Sequence, residues 1–367
     1  MPTYRVMDEG GAILPGCAID SDLTQDVILR VYRTMVRSMA IDKVLYESQR
    51  QGRISFFLTS YGEEGAVLGA AAALRPDDEV FAQYRELSLL LWRGFTMEAV
   101  VDQCFSSVDD VGKGRMMPVH YGSRAHFFQT ISSPLGTQIP QAAGAAYAHK
   151  LDKNGRVALC FFGEGAASEG DFHAGVNFAA TTRAPVIFFC RNNQWAISTP
   201  SHEQYGGDGI AGRGLAFGLH TIRVDAGDFF ACYEAVKRAR AIALADGGQP
   251  VMVESMGYRE SHHSTSDDST RYRSTEEIEA WRLKSNPVVR LRAHLVARGW
   301  WSDAQERELV AAEKRAVLDT IAKVEAKPKY PLAGLFEDVY KEKPAHLAEQ
   351  EAEMLEHLKL YPPAAGH

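Results

Sequence analysis

Two short apolar runs, each closed by a polar motif, constrain this chain more than any other feature. Val157-Ala158-Leu159-Cys160-Phe161-Phe162 leads into Gly163-Glu164-Gly165, and Val186-Ile187-Phe188-Phe189-Cys190-Arg191 leads into Asn192-Asn193. Continuous apolar runs rich in β-branched and aromatic residues read as strands buried on both faces. The segment between them, Ser168 to Thr182, is helix-like with closely spaced small residues. Strand, helix and strand in this order predict a βαβ unit, with ligands at the carboxyl ends of its strands. An acidic side chain and a carboxamide would then stand near each other at that edge. Both offer hard oxygen ligands, which suit Mg²⁺ holding a diphosphate.

The rest of the chain extends the alternation. A helix is predicted from about Leu23 to Gln51, with Asp22 as its N-cap and Gly52 as its stop. Tyr61-Gly62-Glu63-Glu64 opens an Ala-rich helix ending near Leu74, and Glu79 to Tyr84 reads as a strand followed by a helix from Glu86. Ile139 to Lys150 is a further Ala-rich helix. Thr221–Val224 and Pro250–Ser255 read as strands around the amphipathic helix Phe229–Leu244. The pattern predicts an α/β fold with a doubly wound, mostly parallel sheet. Residues 1–22, Gly-rich and irregular, are expected to drape over a neighbour as an extension. Residues 23–275 form the α/β domain, and 276–367 a helical segment packed on it. Within that segment Glu325 to Leu335 reads as an exposed connector and Leu347 to Leu360 as a last amphipathic helix.

Composition excludes several function classes. Lys and Arg total 40 against 47 Asp and Glu, a net charge of −7, so the basic excess that drives nucleic-acid binding is missing. No stretch has the length and apolarity of a bilayer span. The 5 cysteines form no Cys-x-x-Cys pair, and two lie inside the apolar runs. They read as reduced, buried thiols in a cytosolic setting. Met1-Pro2-Thr3-Tyr4-Arg5 resembles neither a signal peptide nor an Arg/Ser-rich transit segment. The expectation is a bacterial-type cytoplasmic protein, with the mitochondrial matrix reserved for a processed form.

A lone Gly-acid-Gly is weak evidence, because turn glycines and polar loops follow many buried strands. Context strengthens it here. Arg259-Glu260-Ser261-His262-His263-Ser264-Thr265-Ser266-Asp267-Asp268 follows another predicted strand and belongs at the same edge. Adjacent histidines point apart, which disfavours zinc, but an imidazole there suits proton transfer or hydrogen bonding to a developing oxyanion. Gln83-Tyr84-Arg85 also follows a strand, and Arg85 and Arg191 are suited to diphosphate. Lys113-Gly114-Arg115 with His120 adds basic character nearby. Each charge alone reads as structural; their convergence on one edge carries the weight.

With these residues in view the chain resembles the α subunits of branched-chain 2-oxoacid dehydrogenase decarboxylase components, which are thiamine diphosphate (ThDP) enzymes. The stretches that carry the resemblance are GEGAASEG at 163–170 with Asn192-Asn193, HHSTSDDS at 262–269, GKGRMMPVHYG at 112–122 and TISSPLGTQIPQAAGAAYA at 130–148. It runs nearly end to end. Relatives acting on pyruvate usually carry Asp in place of Glu164 and a different loop around His263. The resemblance implies that Glu164, Asn193 and the backbone carbonyl of Trp195 ligate Mg²⁺. It implies that Tyr84, Arg85, Arg191 and His263 contact the diphosphate beside Gly163, Gly165 and Ala166, with His263 the catalytic group at the substrate channel. Ser133 and Leu135 would lie against the aminopyrimidine end. Ser132, Pro134, Thr137 and Gln138 match a structural K⁺ site, and Ser264 aligns with a regulatory phosphorylation site.

The implied reaction is decarboxylation of a branched-chain 2-oxoacid and reductive acylation of the lipoyl group of an acyltransferase core. The implied partner is a β subunit in an α₂β₂ heterotetramer, without which the chain would be inactive. Two positions depart from the pattern: Gln194-Trp195 stands where the family often has Gly-Tyr, removing an easy positive-φ residue, and Ser261 replaces a Gly. The α subunit of a pyruvate or acetoin dehydrogenase is the nearest alternative, and a non-catalytic binding or regulatory subunit the next. A nicotinamide enzyme fits least, since no Gly-x-Gly-x-x-Gly turn follows an early strand.

Overall fold

The computed structural model describes residues 1–362. Its strands are β1 (Glu79–Phe81), β2 (Phe128–Gln129), β3 (Ala158–Gly163), β4 (Val186–Asn192), β5 (Trp195–Ala196), β6 (Thr199–Pro200), β7 (His220–Asp225) and β8 (Val251–Met256). Six of them form a parallel sheet in the order β2-β1-β3-β4-β8-β7, and β5 and β6 pair as a small antiparallel hairpin. The helices are α1 (Gln25–Arg50), α2 (Glu64–Ala73), α3 (Leu87–Trp92), α4 (Met97–Phe105), α5 (Gln138–Asp152), α6 (Gly170–Thr182) and α7 (Ser201–Gln204). Then follow α8 (Ala211–Ala216), α9 (Phe229–Leu244), α10 (Thr275–Ser285), α11 (Pro287–Ala297), α12 (Asp303–Glu325) and α13 (Ala345–Leu360).

The two apolar runs are β3 and β4, direct neighbours in register, with Gly163 opposite Arg191. Side chains alternate across the pleat. Leu159, Phe161, Ile187 and Phe189 enter a core shared with α1, α2 and α9. Cys160, Phe162, Phe188 and Cys190 enter a second core shared with α5 and α6. Burial on both faces explains why the runs are apolar throughout, each large side chain contributing roughly 1.5–3 kcal/mol. Small residues set how closely the helices approach. A Cβ added to Gly69 of α2 would stand 2.5 Å from the Cβ of Cys232 on α9.

Several expectations are corrected. The first helix is capped by Thr24, whose hydroxyl accepts from the Val27 amide, while Asp22 instead pairs with Lys237. Its stop is as expected, with Gly52 at φ +76° after the last turn. The strand from Glu79 ends at Phe81 because Glu86 captures the amides of Gln83 and Tyr84 at 3.0 and 2.9 Å.

The first N-terminal residues fold onto their own chain. Tyr4 runs parallel beside Val224, covering the outer edge of β7, and Val6 and Met7 are buried. Asp228 accepts from both of their amides at 2.7 Å, which answers the open edge strand with the chain's own backbone. The connector after α12 is likewise tied down. Lys327 pairs with Glu98 and Asp102 of α4 at 2.8 and 2.9 Å, and Val108 donates to Pro328. Lys327 thus meets acids on α4 and Lys329 donates to Phe105 O at 2.6 Å, so both serve as anchors rather than as a solvated run.

Candidate active site

The carboxyl ends of β1, β3 and β4 open into a cleft of about 200 Å³. β1 delivers Tyr84 and Arg85 to it, and β3 delivers Gly163, Glu164, Gly165 and Ala166. From β4 and the hairpin come Arg191, Asn193 and Trp195, and the loop after β8 adds His263. Leu135 also lines it, whereas Ser132, Ser133, Pro134, Thr137, Gln138 and Ser264 do not. A larger hollow, about 850 Å³, follows the β2 edge and holds His120 but none of these cleft residues.

Local chemistry fixes each side chain. Glu164 is buried, and burial first, aided by the nearby Glu63 charge, pushes its carboxyl up to about 7. One of its oxygens accepts from the Asn193 amide at 3.3 Å. The other, Oε1, is buried with no hydrogen-bond partner among the described residues. Arg191 is flanked by two buried carboxylates, with Nη1 on Glu63 and Nε 2.6 Å from Glu86. Burial works against its charge, but Glu63 and Glu86 outweigh it and hold the guanidinium firmly protonated. Its Nη2 is buried and likewise unpartnered. Arg85 donates to Thr59 O and, at 2.8 Å, to His263 O.

The two histidines diverge as expected. His262 turns to Ser269, whose amide donates to its Nδ1 at 3.0 Å. His263 meets Tyr84 edge-on and has Arg85 Nη2 at 3.4 Å from its Nδ1. Burial, then the charges of Arg85 and Arg259, pull its pKa down to about 3. His263 is therefore neutral near pH 7, with Nδ1 the acceptor and Nε2–H the free donor. Its loop is fastened by Asp267, which accepts from the His263 amide and the Tyr272 hydroxyl at 2.7 and 2.6 Å. Ser264 is buried within that loop.

The departures noted in the sequence have visible consequences. Gln194 sits at φ +70° and is held by a 3.0 Å bond from its side chain to Gly257 O. The Trp195 carbonyl accepts from Arg259 at 3.2 Å and retains a second lone pair. Ser261 hydrogen-bonds Thr59 at 2.7 Å, stapling the loop to the segment between α1 and α2. Lys113 and Arg115 do not converge on the cleft; they pair with Glu337 and Asp338. His120 is buried and bonds Ser133 at 2.7 Å.

Sequence reasoning gave no role to Glu63 and Glu86, which organise the arginines, nor to Arg259 beyond its place at the head of the histidine loop. One signal for Glu63 was available: two adjacent glutamates heading an almost wholly apolar helix cannot both be solvated. Among the described residues no group of three or more His, Cys, Asp or Glu is arranged to hold a metal, so one carboxylate would need amide and carbonyl oxygens and a ligand's own oxygens beside it.

Residues 32–333 match the family described as the dehydrogenase E1 component. The chain belongs to that family. Three of its relatives are named 2-oxoisovalerate dehydrogenase subunit alpha, mitochondrial. The Caenorhabditis elegans protein is 51% identical over 98% of this chain and 83% of its own length. The Bos taurus protein is 52% identical over 98% and 79%, and the Homo sapiens protein 52% over 98% and 81%. Membership in the E1 family carries dependence on ThDP. The relatives also correct one expectation: each is mitochondrial by name, so the bacterial-type cytoplasmic location does not stand. Among the described residues no helix is long and apolar enough to cross a membrane.

Proposed function

We propose that the chain is the α subunit of a branched-chain 2-oxoacid dehydrogenase E1 component, gripping ThDP through Mg²⁺ and the diphosphate. The observation that carries the site reading is a pair of opposite unmatched groups at one strand edge. Glu164 Oε1 lacks a positive partner and Arg191 Nη2 lacks a negative one, both buried in the cleft. A divalent cation with a diphosphate answers both, and a cation at Oε1 would hold Glu164 ionised. Asn193 Oδ1 and the Trp195 carbonyl would complete the protein's share. Identity of 51–52% over 98% of the chain to 2-oxoisovalerate dehydrogenase α subunits supports the substrate class.

ThDP, when bound, supplies the electron sink for loss of CO₂. Arg85 and Arg191 would hold the diphosphate, with Gly163, Gly165 and Ala166 allowing close approach. His263, neutral and with Nε2–H free, would donate to the oxygen that gains charge as the 2-oxo group reacts. Leu135 would give an apolar wall. The pyrimidine end is left to a β subunit in an α₂β₂ assembly, which would hand the acyl group to the lipoyl group of the acyltransferase core. We assign Ser132, Pro134, Thr137 and Gln138 to a K⁺ site; in support, Thr137 bonds Pro134 O at 3.1 Å and Gln138 is pinned to Phe161 O at 3.0 Å. Phosphorylation of Ser264, buried in the His263 loop, would force that loop open.

The test compares decarboxylation of 3-methyl-2-oxobutanoate and pyruvate by the chain with and without a β subunit. Turnover should require the β subunit, ThDP and Mg²⁺ and should favour the branched substrate. Substantial turnover by the chain alone, or a preference for pyruvate, overturns the reading. With the β subunit present, Glu164→Ala should lower Mg²⁺-dependent ThDP binding and turnover together.

A further inference from the structure

Glu63, noted so far for opening α2 and for its charge beside Arg191 and Glu164, is the hub of the cleft floor. It stands at the N-cap position of α2, 3% exposed, directly after Gly62 at φ +91°. A Cβ on Gly62 would meet Tyr258 O at 2.3 Å, and Gly65 and Gly69 let α2 settle against its neighbours, so the chain fixes where the Glu63 carboxylate sits. One oxygen, Oε2, takes Arg191 Nη1; the other, Oε1, takes Asn193 Nδ2 at 2.7 Å and lies 3.6 Å from Arg85 Nε.

A carboxylate only accepts hydrogen bonds when ionised. Burial works to raise the Glu63 carboxyl, but Arg191 and Arg85 outweigh it and hold it below the usual range. Its Oε1 therefore dictates which end of the Asn193 amide faces it: the NH₂ must, and the oxygen must face away. That oxygen also receives the Trp195 amide at 3.3 Å, so both ends of the carboxamide agree on one orientation.

Resting on the cation-diphosphate reading above, we propose that Glu63 is a positioning residue that orients the Asn193 carboxamide to present Oδ1 to the metal. It has a second effect of fixed sign: its negative charge beside Arg85 and Arg191 tempers the pull of the cleft on anions while favouring cations. Removing that charge should weaken cation binding and leave anion binding equal or stronger. A loss of structure would weaken both.

The experiment uses the chain assembled with its β subunit. Mn²⁺ binding is followed by electron paramagnetic resonance at saturating ThDP, and inorganic diphosphate binding by calorimetry in EDTA. Glu63→Gln keeps the shape but offers one acceptor where the carboxylate offers two, so Arg191 or Asn193 loses its partner. Mn²⁺ affinity should fall on the order of 10–100-fold, the usual cost of losing a group that orients a ligand. Diphosphate affinity without metal should be equal or higher. The double variant Glu63→Gln with Asn193→Asp should recover Mn²⁺ affinity, because a carboxylate presents an oxygen whichever way it turns. This second variant also decides the matter if the single one does not fold. Unchanged Mn²⁺ affinity, parallel losses of cation and anion binding, or no rescue overturns the role of Glu63. Failure of the unsubstituted assembly to bind Mn²⁺ and ThDP together overturns instead the reading on which it rests.

Discussion

Arg85 joins three elements through one planar group. Its donors reach Thr59 O and His263 O, and its Nε lies 3.6 Å from Glu63. A lysine would keep the charge but supply a point where a fork is needed. Arg85→Lys should therefore release the His263 loop more than it changes the local charge. Losing a single charge-assisted bond of about 1.5 kcal/mol raises local opening roughly tenfold. Arg271, whose side chain is 85% exposed, provides a tryptic reporter in that loop. Cleavage after Arg271 in native conditions should quicken by about that factor in Arg85→Lys. An unchanged cleavage rate would mean that Asp267 and Tyr272 alone hold the loop shut.

At the scale of elements, the α2–α9 contact turns on glycine. Gly69→Ala would force a Cβ to 2.5 Å from Cys232 Cβ and 3.0 Å from the Tyr233 amide, neither of which is a flexible chain end. Overpacking costs about 1–3 kcal/mol, and the helix-propensity gain of roughly 0.5–1 offsets only part of it. A net loss near 1–2 kcal/mol in urea unfolding is expected. Gly144→Ala on α5 is the control, since nothing lies within 4 Å of its added Cβ, and it should stabilise by roughly 0.5–1 kcal/mol. The elements themselves were largely legible in the sequence: β3, β4, β8 and α9 follow from apolar runs and a 3.6-residue period. β2 and the β5–β6 hairpin were not, because two-residue strands carry no period and exist only through tertiary pairing. The cleft residues were legible where they close a strand, as Glu164 and Asn193 do. The cleft roles of Glu63, Glu86 and Arg259 were not, since the partners that give them those roles, Arg191 and Asn193 for Glu63, Arg191 for Glu86 and Trp195 for Arg259, lie 64 to 130 positions away and no local pattern marks them.

For the molecule as a whole, buried carboxyls set how stability responds to pH. Asp42 of α1 is 1% exposed, and burial raises its pKa to about 7 despite the Ser60 amide at 2.7 Å and the Arg85 charge, which oppose the shift. In the unfolded chain the same group titrates near 4. Between those values the folded state binds a proton that the unfolded state does not, so stability falls as pH rises through the window and is level above it. Glu64, raised well above its ordinary value by burial, acts in the same direction, whereas His263 and His294, lowered by burial, act oppositely below their unfolded pKa. The difference between the unsubstituted chain and Asp42→Asn isolates one group, because the asparagine can still accept from Ser60 but does not titrate. That difference should change by about 1.4 kcal/mol per pH unit between roughly pH 5 and 7, to the disadvantage of the carboxyl form as pH rises. Urea unfolding at intervals across pH 5–8 measures it. A difference that stays constant with pH would show that Asp42 is ionised in the folded chain, held so by Arg85 across the same buried network that Glu63 anchors.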